Sequence, residues 1–184
     1  NFNWWKERVS LYLELSDGIR IDHFRAFESF WAVKGSAKTA KEGKWVKGPG
    51  MKLINAIKDV GGDKLVIAED LGDITKEVTQ LVEESGFPGM RVFQFGFLSE
   101  WDSVHRPHNY PENCVAYTGT HDNNTLLGFM FSLPAHLRDR ALAYVGREGE
   151  DFNTPAAYGS IFRSLLANVA KIAIFPMQDL LLFG

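Results

Sequence analysis

Short apolar runs that each end in an acidic motif constrain the fold of this chain more than any other feature. Three of them are GIRIDHFR at 18–25, LVIAEDLG at 65–72 and YTGTHDNNT at 117–125. Apolar runs of this kind, bounded by turn residues, are typical of strands buried in a sheet. In parallel barrels, catalytic groups gather at the carboxyl ends of several strands. The pattern therefore predicts that Asp22, Glu69 and Asp122 converge on one mouth of a barrel.

Helical patterns alternate with the strand-like runs along most of the chain. Strands are expected at 19–24, 65–68, 90–95, 115–118 and 172–175. Helices are expected at 2–15, 51–60, 74–85 and 161–169. This alternation predicts a parallel sheet, and right-handed crossovers would curl it towards a barrel. A closed (β/α)8 barrel needs eight strands and about 250 residues. The 184 residues of this chain, with about five strand-like runs, therefore supply only part of one.

Three local features have simple structural explanations. Residues 34–50 are rich in Lys and Gly, which predicts a long surface excursion. Asp73 is expected to cap the helix that follows it, because an Asp side chain can accept hydrogen bonds from the first helical N–H groups. Cys114 lies in the apolar run CVAY, so a buried strand thiol is favoured over a nucleophile.

Charge and composition argue against several classes of function. A formal net charge of -3 argues against a nucleic-acid partner. No apolar stretch reaches the length that a membrane-spanning helix needs, so no membrane partner is expected. The single cysteine cannot form an internal disulfide, which fits a reducing compartment such as the cytoplasm.

Together, the motifs resemble the amylomaltase or disproportionating-enzyme family, the 4-alpha-glucanotransferases. The resemblance extends to EGKWVKGPG at 42–50, GFPGMRVFQF at 86–95, PHNYP at 107–111 and FPMQDLL at 175–181. Related amylase-type barrels share a strand ending like RIDHFR, whereas IAEDLG and YTGTHDN in this order are more specific. The resemblance implies a (β/α)8 barrel of which strands four to eight are present. It also implies transfer of alpha-1,4-glucan segments between maltooligosaccharides, without a metal or organic cofactor.

The resemblance assigns a role to each candidate residue. Asp22 matches the nucleophile of a retaining double displacement, Glu69 the acid/base, and Asp122 the group that stabilises the distorted sugar. The strand pattern agrees, because Arg20 lies on the same face as Asp22 and would attract its carboxylate. The residues expected to bind sugar hydroxyls or stack on glucose rings are Arg20, His23, His121, Trp45 and Tyr110.

Other interpretations of the same residues stay open. Asp122 could belong to a polar turn, and Trp45 or Tyr110 could be a core residue. The carboxylates and histidines together have the ligand types of a metal-dependent barrel hydrolase, although a paired-histidine strand pattern is missing. The chain could also be a non-catalytic remnant of a barrel that binds glucan without turnover.

The domain organisation is expected to be simple. Residues 1–184 are interpreted as a single region, the carboxyl-terminal part of a catalytic barrel that is truncated at both ends. Without strands one to three, the outer strands would leave unpaired backbone edges. We therefore expect the isolated chain to be inactive, and to require the missing barrel segment or self-association to form an ordered structure.

Overall fold

The computed structural model describes all 184 residues and divides into two compact units, Asn1–Gly89 and Met90–Gly184. The helices are α1 (Asn3–Leu15), α2 (Met51–Gly61), α3 (Lys76–Ser85), α4 (Leu126–Ser132), α5 (Ala135–Tyr144), α6 (Pro155–Leu166) and α7 (Met177–Leu180). The strands are β1 (Gly18–Ile21), β2 (Ser29–Val33), β3 (Gly43–Lys47), β4 (Leu65–Ala68), β5 (Gly89–Val92), β6 (Cys114–Tyr117) and β7 (Ile172–Ile174). Each unit has its own core, and the single-region interpretation stays a prediction.

The first unit contains the parallel pair that the sequence predicted. Strand β1 pairs with β4 in a register that places Ile19 opposite Val66 and Ile21 opposite Ala68. The last three residues of β4 are buried, because side chains of a covered parallel strand face packed layers on both sides. Helices α1 and α2 pack against each other beside this pair and contribute Leu13, Leu53 and Ile57 to the same core.

Residues 34–50 lie at the surface, as predicted, and part of this segment is also a strand. Strands β2 and β3 form an antiparallel hairpin in which Trp31 lies opposite Trp45. The two indole rings meet edge to face, with centroids 5.5 Å apart. Aromatic cross-strand pairs stabilise a hairpin, and this contribution outweighs the low strand propensity of the neighbouring Lys and Gly residues.

Helix α3 has a different N-terminal cap from the predicted one. The side chain of Thr75, not that of Asp73, accepts a hydrogen bond from the N–H of Val78. The backbone carbonyl of Asp73 instead accepts a hydrogen bond from Arg25. The predicted C-terminus is confirmed, because Gly86 ends the helix with a positive φ of 66°, which glycine adopts without steric cost.

The second unit is built on a three-stranded sheet in the order β5-β6-β7, with β6 and β7 parallel. All four residues of β6 are buried, including Cys114, which confirms the core thiol. The predicted strand at 90–95 stops at Val92, and a 3-10 helix covers Phe93–Phe97. This turn brings the rings of Phe93 and Phe97 to 4.7 Å, which an extended strand would hold much farther apart.

Helices α4, α5 and α6 cover the sheet of the second unit. Thr125 caps α4 and Thr154 caps α6, where Pro155 occupies the first helical position. Ala141, Tyr158 and Ile161 from these helices are almost fully buried. No helix in either unit is both long and apolar enough to cross a membrane.

Candidate active site

Two backbone hydrogen bonds join the carboxyl ends of β1 and β4 beyond the last paired residues. The N–H of Glu69 donates to the carbonyl of Ile21 at 3.0 Å, and the N–H of Phe24 donates to the carbonyl of Glu69 at 3.1 Å. Since Ile21 lies opposite Ala68, the next residues of the two strands are Asp22 and Glu69. The register therefore brings both predicted carboxylates to the same edge of the first unit.

The carboxylate of Glu69 is held by backbone groups alone. The N–H of His23 donates to Oε2 at 2.7 Å, and the N–H of Leu71 donates to Oε1 at 2.8 Å. A carboxylate offers about four lone-pair positions, so about two remain for a proton or a substrate. The half-buried side chain is therefore fixed in direction while retaining capacity for proton transfer.

His23 adopts a backbone conformation that is uncommon for a residue with a Cβ atom. Its φ and ψ are 50° and 47°, in the left-handed region. This turn directs its N–H towards Glu69 and starts the short 3-10 helix Phe24–Phe27. The imidazole is exposed, as a sugar-binding role requires, but the hydrogen bond that the structure gives to Glu69 comes from the backbone.

Asp22 differs from Glu69 because its carboxylate is open. Its side chain is 77% exposed, and Nη2 of Arg20 lies 3.8 Å from Oδ1. The ion pair agrees with the predicted common strand face of Arg20 and Asp22. An exposed pair of this length contributes little to stability, so the carboxylate stays available to a ligand.

Trp45 lies on the surface of the hairpin and is 53% exposed. The buried guanidinium of Arg25 lies over its ring, 4.4 Å from the centroid. Both residues line a groove of about 300 Å³ together with Asp73 and Thr75. Sequence reasoning missed Arg25, although it ends the RIDHFR motif, because nothing in the motif predicts that this arginine is buried against an aromatic ring.

Asp122 and His121 lie in the second unit, in the turn between β6 and α4. Nε2 of His121 is 3.2 Å from Oδ1 of Asp122, and their side chains are 66% and 75% exposed. Asn123 closes the turn, since its Oδ1 accepts from the N–H and the hydroxyl of Thr120 at 2.8 and 2.9 Å. Thr125 caps the following helix, so Asp122 is not a cap. It is an exposed acid on a well-bonded turn.

Tyr110 does not suit the sugar-stacking role that the sequence assigned to it. The residue is only 5% exposed, and its hydroxyl donates to the carbonyl of His105 at 3.0 Å. Burial raises the pKa of its phenol well above the usual range. A ring that belongs to the core offers no face to glucose, so Tyr110 has a structural role here.

No group of three or more His, Cys, Asp or Glu side chains is arranged to hold a metal ion. The histidines that accompany the carboxylates contribute in other ways, His23 through its backbone and His121 through one contact with Asp122.

All of the chain, residues 1–184, matches the family model described as 4-alpha-glucanotransferase. The chain belongs to the 4-alpha-glucanotransferase family. This confirms the resemblance that the strand-end motifs indicated.

Members of the 4-alpha-glucanotransferase family from bacteria and plants are similar to the chain over its full length. It is 45% identical to the 4-alpha-glucanotransferase of Clostridium butyricum, covering 100% of this chain and 37% of that protein. It is 44% identical to the chloroplastic/amyloplastic 4-alpha-glucanotransferase of Solanum tuberosum, covering 100% of this chain and 31% of that protein. The chain thus spans about a third of the length of these relatives.

A solved structure of this family has the same fold. The amylomaltase from Streptococcus agalactiae in complex with acarbose superposes with a TM-score of 0.88 at 39% identity. The match covers 98% of this chain and 36% of that one. The chain therefore has an α/β fold that closely matches part of an amylomaltase.

The left-handed conformation of His23 generates a prediction. In the full-length protein, His23→Val should lower the free energy of unfolding by about 1–2 kcal/mol, because a β-branched residue resists positive φ. His23→Asn should melt close to the parent, because Asn tolerates this region. Thermal unfolding of both variants checks the difference, and equal melting temperatures would show that the turn is not strained.

Proposed function

We propose that the protein is a 4-alpha-glucanotransferase that moves alpha-1,4-glucan segments between maltooligosaccharides with retention of configuration. The observation that carries this proposal is the pairing of an open Asp22 with a backbone-anchored Glu69 at adjacent strand ends. Retaining glycosidic chemistry uses two carboxyl groups in different roles. Family membership supplies the substrate class.

In the first step, Asp22 attacks the anomeric carbon and forms a glycosyl ester. Glu69 gives its proton to the departing glycosidic oxygen as that bond breaks. In the second step, Glu69 takes a proton from the 4-hydroxyl of an acceptor sugar, whose oxygen displaces Asp22. A new alpha-1,4 bond forms and both carboxyl groups return to their starting states.

The remaining candidates bind and polarise the sugar. Asp122 stabilises the positive charge that develops on the sugar ring at the transition state. Arg20, His23 and His121 donate hydrogen bonds to hydroxyls, and Trp45 offers an apolar face to a glucose ring. The exposure of Asp122, His121 and Trp45 supports these roles.

We further propose that strands β1, β4, β5, β6 and β7 are strands four to eight of a (β/α)8 barrel. The parallel pairs β1–β4 and β6–β7 support this assignment, as do the α-helices between β1 and β4, between β4 and β5, and between β6 and β7. So does the similarity to part of an amylomaltase. A crystal structure of the full-length protein tests the barrel. We also propose a cytoplasmic location, which cell fractionation tests.

Transfer rather than hydrolysis is the first prediction from this mechanism. The full-length protein incubated with maltotriose should produce longer maltooligosaccharides together with glucose, because a sugar hydroxyl intercepts the glycosyl ester. Asp22→Asn should lower the rate by several orders of magnitude. Asp17→Asn, which changes an exposed acid near the start of β1, is the matched control.

Chromatography of the products decides among the alternatives. Glucose and maltose without longer products would indicate a hydrolase. Binding of maltotriose with no turnover would indicate a glucan-binding protein. A near-normal rate in Asp22→Asn would remove Asp22 from the nucleophile role.

Glu69→Gln should lower the transfer rate, and a donor whose leaving group departs without protonation should restore part of it. Alpha-maltosyl fluoride needs no protonation on departure, so its rate should recover in part relative to maltotriose. Glutamine has one acceptor oxygen, so the N–H of His23 or Leu71 loses its partner, at a cost of about 1–3 kcal/mol. The comparison is therefore made below the melting temperature of the variant. Equal losses on both donors would contradict the acid role.

The strand edges support the proposal that the isolated 184-residue chain self-associates. Strand β1 pairs only with β4, and β7 pairs only with β6, so each has an open edge. Exposed apolar side chains include Leu11, Leu15, Leu181 and Phe183. Full burial of a side chain of this size contributes about 1.5–3 kcal/mol, and covering these partly exposed ones contributes part of that. Light scattering should detect oligomers, whereas a cooperatively melting, active monomer would contradict the proposal.

A further inference from the structure

A buried carboxylate in the second unit has no role in the mechanism described above. Asp179 lies in α7, within the FPMQDLL motif, and is only 1% exposed. Its Oδ2 accepts from the hydroxyl of Thr118 at 2.5 Å, and its Oδ1 accepts from the N–H of Leu126 at 2.7 Å. Burying a carboxylate costs free energy unless it accepts hydrogen bonds, so these two contacts offset the cost of burying Asp179.

The two partners of Asp179 stand at the two ends of one turn. Thr118 directly follows β6, and Leu126 is the first residue of α4. Residues 119–125 between them include His121 and Asp122. One buried side chain therefore fastens both ends of the turn that carries the third candidate acid.

A second buried residue supports the same turn. Gln94 is 3% exposed, its N–H donates to the carbonyl of Thr118 at 3.3 Å, and its Nε2 donates to the carbonyl of Asn124 at 2.9 Å. A Cβ atom at Gly119 would lie 2.6 Å from Nε2 of Gln94, so glycine leaves room for this contact. The turn is thus supported from the core, while His121 and Asp122 remain exposed.

We propose that Asp179 is a positioning residue that fixes the 118–126 turn, and with it Asp122, for the transfer reaction. The inference rests on the proposed function of Asp122. Leu126 carries one of the N–H groups that have no partner inside a helix, and Asp179 satisfies it from a distant part of the chain. A small displacement of a catalytic group can reduce the rate about a hundredfold. Loss of the hydrogen bonds from Asp179 would therefore lower the transfer rate by displacing Asp122.

The test compares variants of the full-length protein on maltotriose. Asp179→Ala should lower kcat about a hundredfold with a smaller change in KM. Asp179→Asn should recover most of kcat, because its oxygen can accept from Leu126 and its NH2 can donate to Thr118. Asp139→Ala, an exposed acid in α5, is the control and should leave kcat unchanged.

A double-mutant cycle separates positioning from general destabilisation. If Asp179 acts through Asp122, Asp179→Ala should have little further effect on kcat in an Asp122→Asn background. Additive losses would overturn the proposal. If Asp179→Ala fails to fold, Thr118→Val, which replaces the hydroxyl with a methyl group of similar size, takes its place in the cycle. Thr118→Ser should restore kcat.

Amide hydrogen exchange provides a readout that does not depend on activity. Asp179→Ala should raise exchange within 119–125 while β6 stays protected. Unchanged exchange would show that Asp179 does not hold the turn in place. Raised exchange with a kcat equal to that of the parent would show that holding the turn does not matter for the reaction. A parent protein without transferase activity would overturn the proposed function, and the positioning role with it, whereas exchange would still report on the fastening.

Discussion

The backbone hydrogen bonds that continue from β1 and β4 into the residues after them are the constraint on which the first unit's site depends. They place Asp22 and Glu69 side by side through the backbone alone, independently of any side-chain contact. The same register then lets two further N–H groups reach the Glu69 carboxylate. Main-chain geometry therefore determines where the two proposed catalytic carboxylates lie.

Four acids described above fall into two physical kinds. Asp22 and Asp122 are mostly exposed, with one cationic or imidazole neighbour each. Glu69 and Asp179 are held by hydrogen-bond donors, two backbone N–H groups in the first case and a hydroxyl with one N–H in the second. Exposed acids can meet a substrate, whereas bonded acids keep a fixed direction.

Apolar runs and periodicity predicted β4 and α2, because burial leaves a direct mark on the sequence. They predicted neither the hairpin of β2 and β3 nor helices α4 and α5. Periodicity could not choose between Asp73 and Thr75 as a cap, since both residue types suit that role. Nor could it separate exposed Trp45 from buried Tyr110, because aromatic residues occupy both environments. Asp179 was beyond sequence reasoning, because its partners lie 61 and 53 residues away.

The anchoring of Glu69 by backbone N–H groups has a consequence for how this site can change over time. Main-chain donors are present whatever side chain stands at positions 23 and 71, proline excepted. Substitution at these positions can therefore change the side chains around the proposed acid/base without removing the donors that hold it, provided that the residue at 23 tolerates a left-handed backbone. At position 23 the backbone conformation, not the chemistry of the side chain, limits which residues are tolerated. The side chains around the proposed acid/base can therefore vary while Glu69 keeps its hydrogen bonds.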